Sequence, residues 1–342
     1  MSRRFLKAQI FIILSVLILT GTMCTSSAYA ASTVVQVSPL VTNIGVGKTF
    51  KINITVTDVD KLYAWQFKLY FLNTIINCMN ITEGSFLSSG GSTFFISNIT
   101  NNFNSTHGRV SAACTLTGPG KSANGTGVLA TVSFSTLLEG NSNLDLGDTK
   151  LSDINAQPIA FTPISGRVRV GGTGTLHDLT VADVVPLKKA VGRGFPDNIT
   201  ITVQNLGDFT ETFNVTARVN GTDVGTKEMT LASGDFSSVT ILWNTTGLSY
   251  GKYVVSGYAW PVVNETSTDD NTKIDGTVTI GLIGDINADG TVDIYDAILL
   301  ASAYNSSPGS SSWNANADIN SDNIVDIYDA ILLASHYNET IH

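Results

Sequence analysis

Asp285-Ile286-Asn287-Ala288-Asp289-Gly290-Thr291-Val292-Asp293-Ile294-Tyr295-Asp296 returns, little changed, as Asp318-Ile319-Asn320-Ser321-Asp322-Asn323-Ile324-Val325-Asp326-Ile327-Tyr328-Asp329. The copies start at 285 and 318, 33 residues apart, and each runs into the same apolar segment, Ala297–Ser302 and Ala330–Ser335. Side chains bearing oxygen occupy positions 1, 3, 5, 9 and 12 in both copies, and position 7 in the first. An acidic loop followed by an apolar helix has been duplicated, and the rest of the chain is read outward from that duplication.

Alternate oxygens at loop positions 1, 3, 5, 7, 9 and 12 are what a hard dication such as calcium needs, because it takes six to eight oxygen ligands around one centre. In the first copy Asp285, Asn287 and Asp289 offer side-chain oxygens, Thr291 its carbonyl, Asp293 a direct or water-bridged contact, and Asp296 closes the shell. Asp318, Asn320, Asp322, Ile324 (carbonyl), Asp326 and Asp329 repeat the set, so two Ca²⁺ ions are expected. Position 6 requires positive φ, which Gly290 adopts freely and Asn323 tolerates. The closing residue is Asp, shorter than the usual Glu, which predicts a helix drawn closer to the ion. Those helices are expected to bury Ile298, Leu299, Leu300, Ile331, Leu332 and Leu333 between themselves.

An EF-hand has a helix on each side of its loop. Here Thr277-Val278-Thr279-Ile280-Gly281 reads as a strand running into glycines. Loop-then-helix, twice, with Asp at position 12, resembles a type I dockerin over residues 284–338. The resemblance implies docking onto a cohesin domain through loop positions 10 and 11 and the helix positions just beyond. These are Ile294, Tyr295, Ala301 and Ser302 in the first half, and Ile327, Tyr328, Ala334 and Ser335 in the second. The family often carries Ser-Thr and a basic pair there. Ile-Tyr and Ala-Ser imply a more apolar contact, unless the Ile-Tyr pairs pack internally.

At 342 residues the chain is long enough for two to three domains. Its formal net charge is −9, nearly matched by the eight carboxylates of the two loops, so the acidity is local and chelating. No basic cluster points to nucleic acid. Residues 1–30 read as a secretory signal peptide: Arg3, Arg4 and Lys7, then apolar Ile10–Leu19, then Ala28-Tyr29-Ala30 at the cleavage site. An uncleaved anchor is the alternative. No later segment is apolar enough to be a transmembrane helix, and the mature chain is expected to be secreted, extracellular or at the cell surface. Twelve N-x-[ST] sequons fit that setting. Cys78 and Cys114 can pair as a disulfide in an oxidising compartment or remain two buried thiols.

The predicted fold class is mainly β: an N-terminal jelly-roll or β-sandwich (31–170), a linker (171–175), an Ig-like β-sandwich (176–281) and a small α-helical unit with two calcium loop–helix repeats (282–342). Phe50, Ile52, Ile54 and Val56 alternate on one face, as do Tyr63, Trp65, Phe67, Leu69 and Phe71, so Trp65 is expected inside. Val110–Leu116, Val128–Leu137 and Gly166–Val170 are further strands. Gly45-Val46-Gly47-Lys48-Thr49-Phe50, Tyr63–Tyr70, Gly127–Phe134 and Leu151–Asn155 resemble a cohesin, which implies that a dockerin could be received here. The family usually has Asp soon after the aromatic strand, where this chain has Phe71-Leu72-Asn73. In the second sandwich Val203-Gln204-Asn205-Leu206-Gly207, Leu242-Trp243-Asn244, Gly251-Lys252-Tyr253, Glu265 and Asp269-Asp270-Asn271 resemble CARDB-type domains, spacers or adhesion modules.

No enzyme is expected. His107, His177, His336 and His342 form no zinc-type pair with one another or with Cys. Gly118-Pro119-Gly120-Lys121-Ser122 has Thr115 where a phosphate loop needs glycine. The expected function is a non-catalytic extracellular scaffold. It docks on a cohesin of another protein or of another copy of this one, while its own cohesin-like domain receives a dockerin. The alternative is a polysaccharide-binding or adhesion protein tethered through its dockerin.

Overall fold

The computed structural model describes residues 33–118, 120–172 and 176–341. The signal-peptide reading of 1–30 and most of the 171–175 linker lie outside these residues.

The first 140 or so described positions are strand after strand because apolar residues alternate with polar ones between Gly- and Asn-rich turns. One sheet orders β10 (Thr162–Ile164), β1 (Val34–Ser38), β3 (Thr49–Leu62), β8 (Ala123–Thr136) and β5 (Ile76–Glu83). The other orders β2 (Val41–Ile44), β11 (Gly166–Val170), β9 (Gly140–Ser152), β4 (Ala64–Leu72), β7 (His107–Leu116) and β6 (Thr93–Thr100). A single helical turn, α1 (Ser85–Ser88), follows β5 and buries Phe86 and Leu87. The expected sandwich is therefore present, with Ile52, Ile54, Val56, Phe67, Leu69, Phe71 and Phe134 in one core. Trp65 is inside, 3% exposed, and stacks on Phe67. Because side chains alternate, the opposite edge of β4 and β7 presents Gln66, Lys68, Ser111 and Ala113 outward.

A second sandwich packs β12 (Leu179–Pro186), β14 (Asp197–Asn205) and β17 (Phe236–Trp243) against β13 (Ala190–Gly192), β19 (Thr272–Gly281), β18 (Gly251–Ala259), β15 (Glu211–Val219) and β16 (Thr222–Leu231). Its core centres on Ile199, Ile201, Val203, Val215, Trp243, Val255, Val278 and Ile280. The two sandwiches are joined by charge as well as by apolar contact. Arg167 and Arg169 of β11 are buried; Arg167 pairs with fully buried Asp178, and Arg169 with Asp208 and the Leu206 carbonyl. Beside them Leu40 and Ile164 pack against Ala182. A charge buried at such a junction is tolerated only when paired.

The disulfide allowed by the sequence is not made: Cys78 and Cys114 are buried free thiols. They belong to opposite sheets, Cys78 facing the Asn80 carbonyl and Cys114 the Glu83 carboxylate. Burial pushes both thiols up to about 12, the nearby Glu83 charge adding to the effect at Cys114. Only the thiolate reacts with alkylating reagents. At pH 8 the native protein should therefore leave both unlabelled by iodoacetamide, and both should label after denaturation without reductant. Peptide mass mapping checks this, and a linked Cys78–Cys114 peptide would contradict it.

Candidate functional site

Beyond β19 the chain enters the two acidic loops, which share a small core of Leu282, Ile286, Val292, Leu300, Ile319, Val325 and Leu333. Gly284 (φ +94°) begins the turn, and a Cβ there would stand 3.0 Å from the Leu333 backbone, so only glycine fits.

The oxygen-bearing side chains of each loop are brought together by a repeated set of backbone bonds. Asp285 accepts from the Asp289 and Gly290 amides at 3.2 and 3.0 Å, and Asp318 from those of Asp322 and Asn323, both at 3.1 Å. Asn287 and Asp289 are linked Nδ2 to Oδ2 at 2.8 Å, as are Asn320 and Asp322. Asp296 accepts from the Ile286, Asn287 and Asp293 amides, and Asp329 from those of Asn320 and Asp326. The expected positive φ occurs at Gly290 (+91°) and Asn323 (+70°). A second left-handed residue, Ala288 (+60°) and Ser321 (+64°), stands at position 4 of each loop, where alanine and serine carry no turn signal that the sequence could have shown.

Positions 9 and 12 also start the helices. Asp293 caps α2 (Ile294–Ala303) and Asp326 caps α3 (Ile327–Ser335), each in a reciprocal capping box with Asp296 or Asp329. The closing Asp thus serves both ends, one oxygen of Asp296 accepting from the Ile286 and Asn287 amides of the loop and the other from the Asp293 amide at the helix cap.

Asp285, Asp296, Asp318 and Asp329 are all buried. Burial first, then the like charges of Asp296 and Asp289, raise Asp285 above the usual carboxylate range against the pull of the Gly290 and Asp289 amides. Asp318 is raised by burial and by Asp329, and is eased by Lys188 and by the Asn323 and Asp322 amides. Carboxylates taken out of water beside one another call for a cation, and an all-oxygen donor set suits a hard one. The donor chemistry therefore fits calcium, the oxygens being those of Asp285, Asn287, Asp289, Thr291, Asp293 and Asp296 in the first loop and of their counterparts in the second.

The helices do not bury all the residues expected of them. Leu300 and Leu333 are inside and Leu299 and Leu332 partly so, but Ile298 and Ile331 are 54% and 55% exposed. Helical spacing explains the correction: Ile298 lies one turn beyond Ile294 and Tyr295, on the face turned away from the core. Ile294, Tyr295, Ala301 and Ser302 are all exposed, as are Ile327, Tyr328, Ala334 and Ser335. The Ile-Tyr pairs do not pack internally. Ile298 and Ile331 are the members of this surface that sequence reading missed.

A second apolar surface lies on the outer face of the six-stranded sheet. Phe94 and Ile96 of β6 are 60% and 54% exposed and border a groove of about 610 Å³ that Gln66, Ala113, Pro158 and Phe161 also line.

Residues 283–337 match the family profile described as the Dockerin type I domain. No curated protein matches the chain in sequence. Solved structures similar to parts of it include a non-cellulosomal cohesin from the hyperthermophilic archaeon Archaeoglobus fulgidus, 17% identical, covering 42% of this chain and 93% of that one at a TM-score of 0.35. Another is the third ScaC cohesin of Acetivibrio cellulolyticus in complex with the ScaB dockerin, 20% identical, covering 40% and 98% at 0.34. A third is a CARDB domain from Pyrococcus furiosus in complex with di-metal ions, 22% identical, covering 32% and 99% at 0.28. Type I dockerins are generally calcium-binding. Among the described residues no helix is long and apolar enough to cross a membrane.

Asp296→Ala removes the acceptor of three backbone amides at a buried position. It should destabilise the first loop–helix unit by at least about 2 kcal/mol. Faster amide hydrogen exchange across α2 reports this; unchanged protection would contradict it.

Proposed function

We propose that this chain is a secreted, non-catalytic assembly protein whose dockerin binds two Ca²⁺ and docks onto a cohesin domain. We read its modules as 31–170 cohesin-like, 176–281 Ig-like of CARDB type and 282–342 dockerin, after a cleaved leader of 1–30. The observation that carries the reading is the pair of matched apolar faces. Ile294, Tyr295 and Ile298 are 55%, 63% and 54% exposed, and Ile327, Tyr328 and Ile331 are 53%, 63% and 55% exposed. Six large apolar side chains left in water on so small a domain make sense when a partner covers them. Each face begins at positions 10 and 11 of a loop that calcium would fix. The metal's part is to gather carboxylates that otherwise repel; the chain's own part is to convert that into the orientation of a capped helix.

The groove beside Phe94 and Ile96 supports a further element of the reading, that the N-terminal module receives the dockerin of another chain. A polysaccharide in the same groove is the alternative, and would make this an adhesion or carbohydrate-binding protein tethered through its dockerin. Glycan-array binding by the 31–170 fragment would favour that second reading.

Calorimetric titration of the mature chain against a panel of cohesin domains, its own 31–170 fragment among them, tests the central reading. Binding is expected in calcium and should weaken at least about tenfold in excess EDTA. Because the faces match, Ile294→Asp or Ile327→Asp alone should be tolerated and the double variant should not bind. Affinity unchanged by EDTA, or by the double variant, would overturn it.

A further inference from the structure

The two loops are alike in sequence but not in surroundings. Lys188 of the Ig-like sandwich, between β12 and β13, is only 2% exposed, and its ammonium reaches across into the second loop. Nζ donates to the Asp318 carbonyl and, at 2.7 Å, to the Ser321 hydroxyl. Ser321 donates in turn to the Pro196 carbonyl at 3.2 Å. The cation thus holds position 1 of the loop and the left-handed residue at position 4. Around the buried ammonium stand the carboxylates of Asp318, Asp197, Asp329 and Asp322. Asp197, which also accepts from the Lys188 amide at 3.1 Å, anchors the lysine from its own domain.

The first loop is held differently. Its position 4 is Ala288, which has no hydroxyl to receive such a bond. Its link to the Ig-like domain is neutral: Asn316 accepts from the Lys189 and Ala190 amides at 2.9 and 3.2 Å and donates to the Ile286 carbonyl at 3.2 Å.

We propose that the Ig-like domain, through Lys188, holds the second loop in its metal-binding shape before any ion arrives, whereas the first loop takes that shape only with calcium. This rests on the calcium reading of both loops. Lys188 is a positioning residue: it meets the loop at a backbone carbonyl and a hydroxyl, leaving the carboxylates to the metal. The consequence is an ordered response to calcium. Removing the ion releases loop 1 and α2 first, while loop 2 and α3 stay docked on the neighbouring sandwich. Docking weakens because α2 and α3 share one core.

Amide hydrogen exchange of the full mature chain, in calcium and in EDTA, decides the matter. In calcium α2 and α3 should be protected alike. In EDTA α2 should exchange at least about tenfold faster than α3, the scale of hydrogen bonds to a charged donor. Lys188→Met should erase that difference, and Ser321→Ala, which keeps the charge and removes one acceptor, should narrow it. The Ser321 variant and the unmodified chain carry the test if Lys188→Met fails to fold. Equal loss of protection in α2 and α3 on chelation, or a difference that survives both variants, overturns the proposal alone. Exchange indifferent to calcium in both helices counts against the calcium reading as well.

Discussion

A carboxylate removed from water needs a cation, a set of donors, or both, and four of them stand buried in the last quarter of this chain. Asp285, Asp296, Asp318 and Asp329 each collect backbone amides from their own loop, and those amides fix where the chain turns. The donors alone leave Asp285 and Asp318 above their ordinary range. A domain of this size buries little apolar surface, and a cation held by these carboxylates would contribute to its folding free energy. The caps of α2 and α3, and with them the position of the outward Ile-Tyr pairs, rest on two of these carboxylates, Asp296 and Asp329.

The same logic operates at the two module junctions. Arg167 with Asp178 joins the sandwiches, and Lys188 with the second loop joins the second sandwich to the loop–helix unit. In each case a buried charge is paired with a group on the neighbouring module. Separating the modules would strand that charge, which discourages free motion between them. The two apolar faces are equally exposed with both junctions in place.

Much of this was legible in the sequence because it is local. Oxygen donors at fixed spacing, glycine or asparagine at position 6, and alternation along Trp65-Gln66-Phe67-Lys68-Leu69 all act within a dozen residues. What escaped is either silent in residue type or distant in the chain. Ala288 bends left-handed with nothing in its side chain to announce it. The strand Gly140–Ser152, rich in Gly, Asn and Asp, is not among the strands legible by alternation, yet it is paired on both sides, by Gly166–Val170 and Ala64–Leu72. Ile298 sits in an unbroken apolar run that reads as core, and only the turn of the helix carries it outside. Lys188 and its acceptor are 130 residues apart, so nothing near the lysine hints at its role.

The central claim is that the buried carboxylates are calcium ligands, and the most direct test is to count the ions. Equilibrium dialysis of the mature chain in micromolar calcium, with metal measured by mass spectrometry, should find two Ca²⁺ per chain, falling to one when Asp285 and Asp289 are both replaced by alanine. A chain that retains no calcium, or whose bound calcium is unaffected by those replacements, would contradict it.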